Sequence, residues 1–435
     1  MSTLFSPKIR LILGLTTLLI VILLHNPSKT QQSISQYPDA ENLSLNYTQT
    51  QQQTTVVSNH DNAIVAEEKS NKNNNKQKTS SSEKDSGSDS KPYQVIDEAQ
   101  KYKFSVQPHQ VLSPGKLPAV DIDFNQADLL TVLSNTKKYF QDYASADPDI
   151  SRTGVLGTEG VTVQDVTRTL DFMIAVLQED IAKNQPTRLQ DPLFINSHFR
   201  VIKWSGHYLK HPEKKQLRIT KYAVFTHSGS HTKSSTFDTP IYSLKDNSNQ
   251  DKFYTKYTKQ DVLSGIYEPG GKEHGKVDTL VYLSRKGLEA ALMEGTILVN
   301  MTDGTKAFFN VDRNNEMSYV RGVSAAAQKR YWYFRQVDAI KGYGYKIDAK
   351  ISIAPGVTFA GDVLNIGLGK IIVLEYLKDG SKHMHLGVIA DTGGAFLPNL
   401  HQLDFLAGIF QSEQDFEQHS KQLPDYATAY ILVKK

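Results

Sequence analysis

Cysteine is absent from all 435 residues, which excludes disulfides, thiolate metal sites, a cysteine nucleophile and a lipid-modified N-terminal cysteine. Charge of one sign is lacking too. With 49 basic against 46 acidic residues the net charge is +3, so there is no global field of the kind that polyanion binders carry, and no nucleic-acid partner is expected. Long apolar runs are missing with one exception. Leu11 to Leu24 is largely apolar, follows Lys8 and Arg10, and stops at His25, Asn26 and Pro27.

That run is shorter than the roughly 20 residues of an ideal membrane span, but no small-residue cleavage site follows it. Residues 1–25 are therefore expected to be an uncleaved signal anchor, with the basic flank cytoplasmic and the rest of the chain on the far side of the membrane. Residues 26–92 are rich in Gln, Asn, Ser, Thr and Lys, and Ser70 to Lys91 contains no apolar residue. Such a stretch cannot offset its ordering entropy by burial and is expected to be a disordered linker, spanning roughly 45 Å as a flexible coil.

Folded-domain patterning begins at Tyr93. Asp128, Leu129, Val132, Leu133 and Phe140 have helical spacing, as do Val166, Leu170, Met173, Ile174, Leu177 and Ile181. Thr162 followed by Asp165 reads as a cap, and Pro186 as a stop, predicting a helix over 163–184. After Phe199 the pattern changes to short β-type runs: Tyr222–Thr226, Thr279–Leu283, Thr296–Asn300, Lys306–Val311, Lys370–Tyr376, His385–Ala390 and Ala429–Val433. Closely spaced short strands predict a mainly β barrel or sandwich with added helices rather than βαβ units.

The segment most informative about chemistry runs from Ala354-Pro-Gly-Val-Thr358 through Asp391-Thr-Gly-Gly-Ala395 to Asp404-Phe-Leu-Ala-Gly408. This order resembles the three-aspartate (3D) domain, a double-psi β-barrel, over about residues 338–435. Upstream, Thr239-Pro-Ile-Tyr242, Lys259 to Gly265, Leu280-Val-Tyr-Leu283, Leu288 to Gly295 and Asp303-Gly304 occur in the order found in the other half of the membrane-bound lytic transglycosylase A (MltA) family. The helical spacing marks an accessory region at 93–198, and the resemblance, which spans roughly 195–435, implies a β-rich lobe at 199–337 and the barrel at 338–435, with a glycan groove between the lobes. It also implies cleavage of peptidoglycan glycan strands by a single aspartate at the Asp404 position, with Asp391 as a neighbouring carboxylate, and a bacterial cell-envelope location.

The chemistry of those residues agrees with this implication. Breaking a β-1,4 glycosidic bond needs a proton delivered to the leaving oxygen, and a desolvated carboxyl flanked by Leu403, Phe405 and Leu406 can keep one near neutral pH. If the substrate's own 6-hydroxyl attacks, giving a 1,6-anhydro product, a second carboxylate nucleophile is not required. Asp391 can either share in that chemistry or cap the turn amides beside it.

Trp204 and Tyr208 are candidate sugar-stacking residues, because an aromatic ring offers an apolar face and a polar rim. Glu294, Gly295, Thr392 and Gly393 complete the substrate-binding candidates. The family's Q-G-S-G segment appears as Met293-Glu-Gly-Thr296 and its Y-Y-E-P entry strand as Gly206-His-Tyr-Leu209, which keeps a catalytically inactive glycan-binding module as an alternative. Asp391-Thr-Gly also matches an aspartic-protease triplet, but with one triplet per chain that chemistry would need a dimer. The pairs His207/His211, His227/His231 and His383/His385 lack a full ligand set. No metal and no cofactor are expected.

Overall fold

The computed structural model describes residues 91–97, 104–245, 252–320, 322–346, 348–393, 396 and 398–435. The expected anchor and almost all of the expected linker lie outside the described residues, as do Gly394 and Ala395 of the D-T-G-G-A segment. No helix among the described residues is long and apolar enough to cross a membrane.

After a few elements of two to four residues, the first long elements are the helices α1 (Gln126–Tyr143) and α2 (Val163–Ala182). The strands that follow are β1 (Phe199–Trp204), β2 (Leu217–Ser230), β3 (Thr239–Leu244), β4 (Val277–Leu283), β5 (Thr296–Met301), β6 (Lys306–Asn314) and β7 (Trp332–Val337). The chain then adds β8 (Thr358–Ala360), β9 (Ile371–Lys378), β10 (Ser381–Asp391), β11 (Gln402–Phe410) and β12 (Tyr426–Lys434). The architecture is mainly β with added helices, as the sequence implied. Each run with β-type patterning lies within a strand, Lys370 alone standing one residue outside.

The helix starts follow from their caps. Asn125 accepts the Asp128 amide at 3.0 Å. At α2 Thr162 and Asp165 form the reciprocal capping box, with Thr162 N donating to Asp165 Oδ2 at 2.9 Å, so two otherwise orphaned amides are satisfied. Along the inward stripe of α2, Leu170, Met173 and Leu177 are fully buried, whereas Ile181 at its end is 42% exposed.

The described residues form two compact units. The larger holds residues 91–222, 341–407 and 424–435; the smaller holds 223–340 and 408–423. Packing thus divides the chain differently from the sequence-based boundaries at 199 and 338. Strand β1 and the start of β2 belong to the larger unit because they pair with β12, Trp204 opposite Ala429 and Arg218 opposite Tyr426. The helical region 93–198 is not a separate accessory piece. Lys434 N on β12 donates to Thr169 Oγ1 on α2 at 2.9 Å, and Asn135 Nδ2 on α1 donates to Ser352 O at 2.9 Å.

In the larger unit β8 lies between β10, to which it is parallel, and β11, to which it is antiparallel. Strand β9 joins β10 to β12, and β12 returns to β2. With β2 neighbouring β11, six strands close in the order β2-β11-β8-β10-β9-β12. Closure removes the exposed sheet edges, and both faces of its strands are covered: Phe359 and Ile372 on one face and Leu386, Val388 and Leu406 on the other are all fully buried.

The smaller unit has its own core, in which Ile241, Val281, Ile297, Val299, Tyr331, Tyr333 and Phe334 are fully buried. Each large apolar side chain so placed contributes about 1.5–3 kcal/mol. The buried phenols there find partners, as burial demands: Tyr267 and Tyr333 share a hydrogen bond at 2.6 Å. Tyr331 and Tyr333 are therefore core residues.

Candidate functional site

Strand β8 brings the two aspartates together. Ala360 is paired with Asp391 on one side and with Asp404 on the other. Residues opposite one another in a ladder project from the same face, and at about 4.8 Å per strand spacing the two Cα atoms stand roughly 10 Å apart. The methyl of Ala360 lies between them, so the smallest chiral side chain occupies the gap.

Both aspartates are half-buried at the residue level while their carboxyl groups are surrounded by protein. Asp391 closes β10. Its Oδ1 accepts the Thr392 amide at 2.8 Å and its Oδ2 accepts the Tyr222 hydroxyl at 2.8 Å. Burial raises its pKa to about 6, opposed by those two hydrogen bonds and by the Lys350 charge. Asp404 lies within β11, among the buried Leu403, Phe405 and Leu406, and its Oδ1 is shielded from solvent with no hydrogen-bond partner. Burial raises its pKa to about 7; the Thr220 hydroxyl and the charges of Arg218 and Lys221 oppose that rise, and Asp391 adds to it. One carboxyl has its charge supported by donors, and its neighbour is set to hold a proton, the division of labour that acid–base chemistry requires.

Strand β2 supplies the groups around this pair that the sequence reading missed. Arg218, Thr220 and Tyr222 alternate along one face of the strand. Gln402 Nε2 fixes Thr220 by donating to its hydroxyl at 2.9 Å, and Lys221 on the opposite face is ion-paired to Asp425. The signal was present as a period-two row of polar residues, but nothing in sequence ties it to Asp391, 169 residues away from Tyr222.

Tyr222→Phe is expected to remove a donor from ionised Asp391 and so raise its pKa. A hydrogen bond to a charged group contributes about 1.5 kcal/mol or more, and one pKa unit corresponds to about 1.4 kcal/mol. A carbon-13 NMR titration of Asp391 should move up by about one unit, with the acid limb of any pH–rate profile following it. An unmoved midpoint would disprove this assignment.

The other sequence candidates separate. Trp204 is corrected to a core residue: it is 0% exposed and its indole N–H donates to Leu400 O at 3.2 Å, so it has no face to offer a sugar. Tyr208 is half-buried against the His401 ring, at 4.5 Å between centroids, with its hydroxyl donating to Gln216 O at 3.0 Å. Thr392 donates its hydroxyl to Gly361 O at 2.8 Å, and the Gly393 carbonyl accepts Phe396 N at 3.0 Å, so both shape the turn after Asp391. Glu294 and Gly295 belong to the smaller unit. Glu294 meets His227 Nε2 at 3.1 Å, and the Gly295 carbonyl accepts from Asn310 Nδ2 and Val311 N.

Among the described residues no cluster of three or more His, Cys, Asp or Glu side chains could hold a metal. His227 faces Glu294, and His385 Nε2 lies 2.6 Å from Gly356 O.

No protein-family model and no curated protein matches the chain. Among solved structures it is similar to a membrane-bound lytic murein transglycosylase from Agrobacterium tumefaciens, at 16% identity over 74% of this chain and 98% of that one, with a TM-score of 0.49. It is similar to E. coli MltA with bound chitohexaose, at 15% identity over 74% and 94%, TM-score 0.48. It is also similar to MltA from Neisseria gonorrhoeae, at 13% identity over 74% and 98%, TM-score 0.46.

Proposed function

We propose that this chain is a bacterial lytic transglycosylase that cleaves the β-1,4 bond between MurNAc and GlcNAc in peptidoglycan, leaving 1,6-anhydro-MurNAc ends. The observation that carries the reading is Asp404, whose buried and unbonded Oδ1 belongs to a carboxyl with a pKa of about 7, on a strand where the motif order puts the family's acid. Protonated Asp404 donates to the glycosidic oxygen as the C1–O bond breaks, and the leaving sugar departs as an alcohol. The 6-hydroxyl of the same MurNAc then forms a bond to C1 and returns its proton to Asp404. No water is consumed. Ionised Asp391, held by Tyr222 and Thr392, stabilises the positive charge that develops on the sugar ring.

The working state has Asp391 ionised and Asp404 protonated, so activity is expected to be greatest between about pH 6 and pH 7, the two values set by burial. In this reading the apolar run at Leu11 to Leu24 holds the enzyme at the inner membrane with its catalytic region in the periplasm. The test is digestion of purified sacculi by the full chain, with mass spectrometry of the products, beside fractionation of expressing cells. Release of 1,6-anhydro-muropeptides by a membrane-associated protein is expected. Reducing ends would show hydrolysis, with Asp391 directing water, and binding without product would show an inactive glycan-binding module.

A further inference from the structure

The proposed chemistry uses Asp391 and Asp404 but leaves a third acid of the barrel unassigned. Asp362 lies two residues beyond Ala360, is 0% exposed, and has no ion pair among the described residues. Its oxygens instead gather donors. Oδ1 accepts Asn365 N at 3.0 Å, and Oδ2 accepts Asn365 Nδ2 at 2.8 Å and Asn399 N at 2.8 Å. Burying a carboxyl without a cation penalises its charged form: burial raises the Asp362 pKa to about 7, and the hydrogen bonds from Asn399 and Asn365 oppose that rise without cancelling it.

The bonds lead from Asp362 to both site aspartates. On one side Asn399 Oδ1 accepts His401 N at 3.2 Å, three residues before Asp404. On the other, the adjacent Gly361 donates its amide to Asp391 O at 3.2 Å and accepts the Thr392 hydroxyl at 2.8 Å. A third branch runs outward: Asn365 Oδ1 accepts Ile96 N at 2.8 Å and Tyr93 OH at 3.1 Å, while its Nδ2 donates to Ile96 O at 3.0 Å. The Asp362 carboxyl thus ties the segment before β11 to Asn365 and, through it, to residues 93–96, while the backbone of the adjacent Gly361 holds the end of β10.

We infer that Asp362 is a positioning residue which, through Asn399 and Gly361, sets the separation of the Asp391 and Asp404 carboxyl groups, with residues 93–96 bracing it through Asn365. This rests on the transglycosylase reading for its catalytic meaning, though not for its geometry. Asp362→Asn puts an amide N–H against one of the three donors, so one branch must let go. Loosening the pair weakens the repulsion that Asp391 exerts on Asp404, and Asp404 should then lose its proton at lower pH. The other groups that act on the pair, Arg218, Thr220, Tyr222 and Lys350 around it and the charge of Lys221 from the opposite face of β2, are unchanged by the substitution.

The experiment follows the Asp391 and Asp404 carboxyls by carbon-13 NMR titration in the full chain and in parallel measures sacculus digestion. Asp362→Asn is expected to lower the Asp404 midpoint by at least half a unit, to move the alkaline limb of the pH–rate profile with it, and to cut kcat roughly 10- to 100-fold with KM within about twofold. Asn365→Ala, which keeps the Asp362 carboxylate and both backbone donors, should show the same displacement on a smaller scale, and decides the matter if Asp362→Asn does not fold. A folded variant with lowered thermal stability but an unmoved Asp404 midpoint and normal kcat would overturn the inference. A displaced midpoint in a protein whose wild type digests nothing would uphold the brace and refute the transglycosylase reading.

Discussion

Asp404→Asn is expected to lose about a thousandfold or more in turnover and, at the same time, to gain stability. The activity loss follows because an amide keeps the shape of the carboxyl but can neither deliver nor take back the proton, and general acid–base groups contribute about 100- to 10,000-fold. The gain follows from linkage. Burial raises the Asp404 pKa from 3.8 to about 7, so the folded state binds the proton more tightly than the unfolded chain. The cost of ionising it is absent below the unfolded value, grows as pH rises, and is complete above about 7. Removing the charge should therefore add about 2–4 kcal/mol at pH 8 and almost nothing at pH 4. Thermal unfolding at the two pH values, beside sacculus digestion, reads both effects. Near-normal turnover in the folded variant would remove Asp404 from the mechanism, and a stability gain equal at both pH values would refute the electrostatic account.

Lys370→Met should stabilise the protein by a comparable amount through the opposite titration. Lys370 is 4% exposed, and burial lowers its pKa from 10.5 to about 7, with no carboxylate among the described residues opposing the fall. Its ammonium lies close to Gly367, where an added Cβ would come within 2.7 Å of Nζ and where φ is +100°, so glycine meets both the steric and the backbone requirement. The unfolded chain binds this proton more tightly. The penalty is therefore fully present below about pH 7 and disappears as pH rises through 10.5. Methionine keeps most of the stem without the charge, and a gain on the order of 4 kcal/mol near pH 7 corresponds to roughly 5–10 °C in a domain of this size. Denaturant unfolding at pH 7 and pH 10 checks it: the difference from wild type should shrink at the higher pH, and a constant difference would point to packing alone.

The parts of this molecule legible in sequence are those whose information is local. The capping box at Thr162 and Asp165 and the apolar stripe of α2 from Val166 to Leu177 depend on neighbours a few residues away, and the structure has them where the pattern put them, whereas Ile181 at the end of that stripe is exposed. The acidic pair was legible because its motif is nearly contiguous. Thr220 and Tyr222 were not, because only barrel closure brings β2 to Asp391 and Asp404. Trp204 was misread for a related reason: an aromatic residue beside a binding-type segment looks available until β1 is seen packed with its indole bonded to Leu400. Ala360 gave no signal, since its contribution is the volume it does not fill. Asp362 was hidden by its chemistry, as a carboxylate in a sequence looks the same whether it meets substrate or backbone amides.

Strand β12 has a consequence for how the protein is made. It lies inside the sheet, between β9 and β1, and also meets β2, yet it follows all of these partners along the chain. During synthesis the barrel therefore stands open, with the flanks of β9 and β1 unpaired, until residues 426–434 have emerged. A ribosome stalled even ten residues short of that point would leave two sticky strand edges facing solvent, and the nascent chain would depend on chaperones to keep them apart. Folding of the barrel is thereby deferred until after translation of its final strand.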